Sequence, residues 1–119
     1  MSDEDVHEVS LEAFSERPEG SHEKNISPTD LLRVEEDLPM SWSGVSSCCD
    51  RDRIDNECKA QFDSWLGRQV SGHPGHQMVN YGHGGGSVRC SQSNSGWPDN
   101  RRSCRAGVTV RAFAEFVEK

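Results

Sequence analysis

Gly107-Val108-Thr109-Val110-Arg111-Ala112-Phe113-Ala114-Glu115-Phe116-Val117-Glu118-Lys119 carries two periodicities at once. Val108, Val110 and Ala112 alternate as a strand does. Val110, Phe113, Ala114 and Val117 fall at helical spacing, with Thr109 placed to cap. How this stretch is read sets the fold class. Taken as a helix, it predicts a short C-terminal helix over 108–117 and makes the chain's apolar residues a set of short amphipathic helices.

The same choice arises upstream. Ser27-Pro28-Thr29-Asp30-Leu31-Leu32-Arg33-Val34-Glu35-Glu36-Asp37-Leu38-Pro39 has the grammar of a capped helix over 28–38. Ser27 suits the N-cap, Pro28 the first helical position, and Asp30 the positive end of the dipole. Leu31, Val34 and Leu38 make one narrow apolar stripe, and Pro39 stops it. So short a helix is marginal alone. In an acidic arm it has the form used in helix-in-groove recognition. The expected partner-binding residues are therefore Leu31, Val34, Leu38 and Trp42. A solvated arm, or a helix docked on its own C-terminal half, is the plainer alternative.

Composition points toward weak packing. The chain has 119 residues and a net charge of -7, with a mean hydropathy of -0.81. Leu, Ile, Val and Phe together number 21, under the fifth of the chain at which a charged sequence is expected to fold readily. Residues 1–40 hold 12 acids and 3 bases, whereas all five cysteines and all three tryptophans lie beyond them. The expected fold is mostly disordered with short α-helices. Residues 1–40 form an acidic disordered arm. Residues 41–119 form a small, weakly packed, Cys/His-containing α-rich region.

Within that region, 50–66 is the clearest helix. Ile54, Cys58, Phe62, Trp65 and Leu66 share a face, and Gly67 is placed to end it. Ile54, Phe62, Trp65 and Leu66 are expected to form a weak core or a second interface. Residues 71–96 contain 7 glycines and 5 serines, the composition of a loop.

No stretch is apolar enough to cross a bilayer. The acidic start is unlike a secretory signal. An intracellular location, cytoplasmic or nuclear, is expected, with the odd set of cysteines as free thiols or metal ligands. Cys58, His73, His76 and Cys90 are the zinc candidates, His73-Pro74-Gly75-His76 being the one close pair. Arg101, Arg102 and Arg105, with Trp97 for stacking, are the nucleic-acid candidates. Ser27-Pro28 is a candidate phosphorylation site.

His83-Gly84-Gly85-Gly86 resembles the oxyanion-hole loop of some lipases and esterases. Asn80-Tyr81-Gly82-His83-Gly84-Gly85 resembles a flavin-contacting loop of D-amino-acid oxidases. The companion motifs G-x-S-x-G and G-x-G-x-x-G are absent from the sequence, so the run reads as a flexible glycine loop. No Cys–His pair stands out by spacing, and no enzymatic activity is expected. Arginine outnumbers lysine 10 to 3, a bias that an overlapping reading frame can impose. The expected function is a non-enzymatic regulatory protein, in the manner of a small viral accessory protein, binding a partner protein through short helices without a cofactor. The alternative is a zinc-stabilised nucleic-acid-binding module.

Overall fold

A computed structural model describes residues 4–16, 31–45, 47–95 and 101–118. Its elements are β1 (Glu4–Leu11), β2 (Phe14–Glu16), β3 (Leu32–Gly44), α1 (Arg51–Gly72), β4 (His76–His83), β5 (Gly86–Ser95) and β6 (Arg101–Glu118). The six strands form one antiparallel sheet. The expectation of a mostly disordered, α-rich chain is thus overturned. α1 is the single helix among the described residues.

β6 is the spine of the sheet. β3 pairs along one side of it, from Leu32↔Phe116 to Gly44↔Cys104. β4 and β5 share the other side, at His76↔Glu118 to His83↔Ala112 and Arg89↔Gly107 to Ser95↔Arg101. Both run in the same direction along β6, so they act as one ribbon bent at Gly84-Gly85. β1 lies on β5 and β2 on β4, a fourth ribbon bent at Glu12-Ala13.

The stretch 108–117 is a strand because its alternation extends further than its helical spacing. Cys104, Ala106, Val108, Val110, Ala112, Ala114 and Phe116 are all buried. A helix would have placed several of these small and β-branched residues in water. As a strand, β6 presents them all to one face. The helix expected over 28–38 fails for the same reason. Leu38, Met40 and Trp42 are buried at period two, with Val34 half-buried on the same face. Glu36, the charged exception on that face, accepts hydrogen bonds from the Trp65 indole N–H and from Gln69 Nε2. Pro39 is not a helix stop. It lies inside β3, whose described pairing is to β6 alone, and a strand on an edge tolerates the missing N–H. The division drawn at 39–40 therefore falls at no break in the fold.

α1 covers the inward face. It runs through Gly67 to Gly72, burying Ile54, Cys58, Phe62, Trp65 and Leu66. A Cβ at Gly67 would meet nothing within 4 Å, so this glycine is an ordinary exposed helix position, not a cap. Arg53–Glu57 is a half-buried pair and Lys59–Asp63 an exposed one, each at 2.9 Å, and Arg53 also donates to the Ser43 carbonyl on β3 at 3.0 Å. Gln61 fastens the helix to β3 by accepting from the Ser41 N–H at 3.1 Å and donating to its carbonyl at 2.8 Å.

The β3–α1 turn is held from several directions. Ser47 takes a left-handed conformation, φ 71°, which is uncommon for a residue with a side chain. The Trp42 indole donates to the Cys48 carbonyl at 3.1 Å. Cys48 is disulfide-bonded to Cys104, so the expectation that every cysteine is a free thiol or a metal ligand is corrected.

Candidate functional site

Two local irregularities shape the sheet's inward face. At β4 the register slips between Met78 and Asn80. The extra residue, Val79, changes which positions face the helix. Met78 faces inward before the bulge, and Tyr81 and His83 face inward after it, opposite the buried Ala114 and Ala112. Re-aiming side chains in this way is a common use of a β-bulge.

The second irregularity is the double bend. Gly84-Gly85 interrupts one ribbon beside Glu12-Ala13 in its neighbour, and the Gly84 N–H stays bonded to the Arg111 carbonyl at 2.9 Å. The loop expected over 71–96 is instead, as far as Ser95, mostly the strands β4 and β5, after the end of α1 and a short turn, with close backbone contacts at the glycines. A Cβ on Gly82 would sit 2.2 Å from the Phe14 carbonyl oxygen and 2.9 Å from the Phe113 ring. One on Gly85 would sit 2.9 Å from the Leu11 carbonyl oxygen. These glycines answer to crowding, and the resemblance to an oxyanion loop has no counterpart in the geometry.

Together the bulge and the bend open a cleft of about 660 Å³ between α1 and the β1–β2 ribbon. Phe14 on β2 meets Phe62 on α1 edge-on at 6.3 Å, and Tyr81 on β4 at 6.3 Å. Phe62 and His83 stand T-shaped at 5.1 Å, and Phe62 stacks on Trp65 at 5.9 Å beneath. Leu11 completes this floor. Phe14 is 41% exposed, an unusual loss for a phenylalanine already packed against two rings.

The rim is charged. Along the helix wall stand Arg51, Asp55, Lys59 and Asp63. Glu12 and Glu16 stand on the strand wall. Lys59 is paired with Asp63, whose hydrogen bond raises the lysine pKa. The Tyr81 hydroxyl donates to Glu16 at 3.1 Å. Burial, then that hydrogen bond, raises its pKa, so it remains a donor at neutral pH. Carboxylates outnumber cations on this rim four to two.

Two groups with catalytic potential line the same cleft. His83 Nδ1 lies 2.8 Å from the Gly84 carbonyl oxygen. That oxygen can only accept, so Nδ1 carries the proton and Nε2 is the acceptor position of the neutral ring. The Cys58 thiol is pushed up to about 11 by burial, and further by Asp55 and Glu57. It is a thiol at neutral pH, without the nucleophilic character of a thiolate.

The other candidates fall elsewhere. Leu38, Trp42, Ile54, Phe62, Trp65 and Leu66 are core residues, with Leu31 and Val34 half-buried at the start of β3. They are packed against one another and do not form the free helical face expected for a partner. Phe62 alone also reaches the cleft. Cys58 and Cys90 are buried on separate elements. The His73 ring stacks on Phe116 at 4.7 Å, while His76 stands 6.3 Å from His73. No group of three or more His, Cys, Asp or Glu residues able to hold a metal lies among the described residues. Arg105 is exposed on β6. Trp97, the Arg101 and Arg102 side chains and Ser27-Pro28 lie outside the described residues. Among the described residues no helix is long and apolar enough to cross a membrane.

Sequence reasoning singled out Phe62 but missed Phe14, and met Tyr81 only inside the glycine motif. Their common signal is position: each is a ring next to a break in strand alternation. No family model, curated protein or solved structure matches this chain.

Proposed function

We propose that this is a non-enzymatic binding protein that takes a basic, apolar-anchored segment of a partner protein into the cleft between α1 and the β1–β2 ribbon. The observation that carries this reading is the exposed Phe14 ring, backed by the half-buried Tyr81 and the buried Phe62 and His83, inside a rim with an excess of carboxylates. The floor offers an apolar anchor site, the commonest centre of a binding hot spot. The rim favours flanking lysine or arginine and opposes acidic segments.

A peptide suits the shape better than a compact small molecule. On the helix wall Arg51 and Asp63 stand 12 positions apart, about 18 Å at the rise of an α-helix. The cleft is only partly enclosed, whereas small-molecule sites commonly enclose most of the ligand. The partner-binding role is therefore moved from the amphipathic faces, which fill the core, to the surface that they leave uncovered.

The test uses two blocked tripeptides, Ac-Lys-Phe-Lys-NH2 and Ac-Glu-Phe-Glu-NH2, titrated into the 15N-labelled chain. The basic peptide should shift amides of Leu11 to Glu16 and Tyr81 to His83. The acidic one should bind about tenfold more weakly, since each rim charge contributes up to about 1 kcal/mol. Phe14→Ala should weaken the basic peptide with little change in fold, because its ring is on the surface. Equal shifts from both peptides, shifts elsewhere, or no shift at millimolar peptide would overturn the proposal.

A further inference from the structure

Four of the five cysteines converge on the β3–α1 turn. Cys48 and Cys49 are adjacent in it, and Cys48 is bonded to Cys104 on β6. On the neighbouring strand Cys90 pairs in register with Ala106, two residues along from Cys104 on the same face. Diagonal neighbours of this kind lie within side-chain reach. Cys90 is fully buried. Cys49 is half-buried and packs against the core that contains Cys90. The two halves of the dicysteine thus serve two strands, Cys48 reaching β6 and Cys49 reaching β5.

We propose that Cys49 and Cys90 form a second disulfide beside Cys48–Cys104, turning the dicysteine into a redox-closed clasp that fixes the start of α1 to both β5 and β6. The oxidant is a low-molecular-weight disulfide such as oxidised glutathione. The half-exposed Cys49 attacks first as its thiolate. It forms a mixed disulfide and expels one glutathione thiolate. Cys90 then attacks the Cys49 sulfur and expels the second. Two thiols lose two electrons and two protons, and one glutathione disulfide becomes two glutathione thiols. Burial, and then its Cys49 neighbour, push the Cys90 thiol up to about 12. Cys58 has no part in the clasp. Its burial on α1 leaves it as the fifth, unpaired cysteine among the described residues. An oxidising compartment would keep both bridges closed.

Tryptic mapping without reduction tests this on the full chain. Cys48 and Cys49 fall in the fragment 34–51, Cys90 in 90–101 and Cys104 in 103–105. After glutathione disulfide treatment and alkylation in denaturant, the three fragments should run as one cross-linked assembly. The alkylatable thiols should fall from three to one, leaving Cys58. In Cys49→Ser, whose side chain is half-exposed and replaced isosterically, 90–101 should be released with Cys90 alkylated while 34–51 stays joined to 103–105. Release of 90–101 from the oxidised wild-type chain would overturn the proposal. So would its continued attachment in Cys49→Ser, which would show that Cys90 pairs with another cysteine.

Discussion

Replacing Trp65 with alanine should lower the unfolding free energy by about 3–5 kcal/mol, the range found for large aromatic residues removed from a core. Trp65 is 1% exposed and stacks on Phe62 at 5.9 Å. Its indole N–H is also the partner of Glu36, the one carboxylate on the inward face of β3. The substitution removes the ring's dispersion contacts and leaves that carboxylate without its best donor. Domains of this size have only about 5–15 kcal/mol in hand, so the substitution removes a large fraction of the stability. Urea titration followed by circular dichroism measures the loss. A cost under about 1 kcal/mol would mean that α1 does not dock on the sheet as described.

Removing the Cys48–Cys104 bridge should cost about as much. The bond closes a separation of 56 residues. Constraining an unfolded loop of that length is worth about 4 kcal/mol on the chain-entropy relation. Cys48 is also 1% exposed and Cys104 3% exposed, so both positions are already core. The double change Cys48→Ser with Cys104→Ser should therefore lower the urea midpoint sharply. Dithiothreitol should bring the wild-type chain to a similar midpoint, and with Cys49→Ser added to the double change it should leave the midpoint nearly unchanged. A wild-type midpoint indifferent to dithiothreitol would show that the bridge contributes nothing to the fold.

These two residues show where the sequence was readable. Trp65 sits in the element whose pattern has one reading: Ile54, Cys58, Phe62, Trp65 and Leu66 repeat at helical spacing and fit no strand. Its length was harder to see, because Gly67 looks like a terminus and is tolerated inside the helix at a modest cost. The two strands read as helices were ambiguous for a physical reason. In β3, Glu36 breaks the alternation of Val34, Leu38, Met40 and Trp42, and only the tertiary partner Trp65 explains a carboxylate there. In β6, alanines at 106, 112 and 114 score as helix formers, yet they are small because α1 lies over them. Low counts of leucine and isoleucine were read as want of a core, although valine, alanine, cysteine and tryptophan supply much of it here.

The site was less legible than the fold. A bulge at Val79 is invisible in a single sequence because it consists of one residue too many in one strand. Without it Tyr81 and His83 would be assigned to opposite surroundings. The glycines around His83 signalled backbone crowding, but the same composition describes a mobile loop. Disulfide connectivity follows from which strands neighbour one another, which spacing does not reveal. The acidic first segment was set aside as solvated because its charge was counted without the register that places Val9 opposite Val88 and Leu11 opposite Gly86.

That segment carries the central claim: the strands β1, β2 and β3, which begin in the acidic first part of the chain, are folded into the sheet, and β1 and β2 form one wall of the cleft. Amide hydrogen exchange at individual residues tests it most directly. Protected amides should appear in alternation along β1 and β3, including residues near Val9 and Met40, with rates approaching those of β6. Exchange at unprotected rates through both strands, while β4, β5 and β6 remain protected, would contradict it.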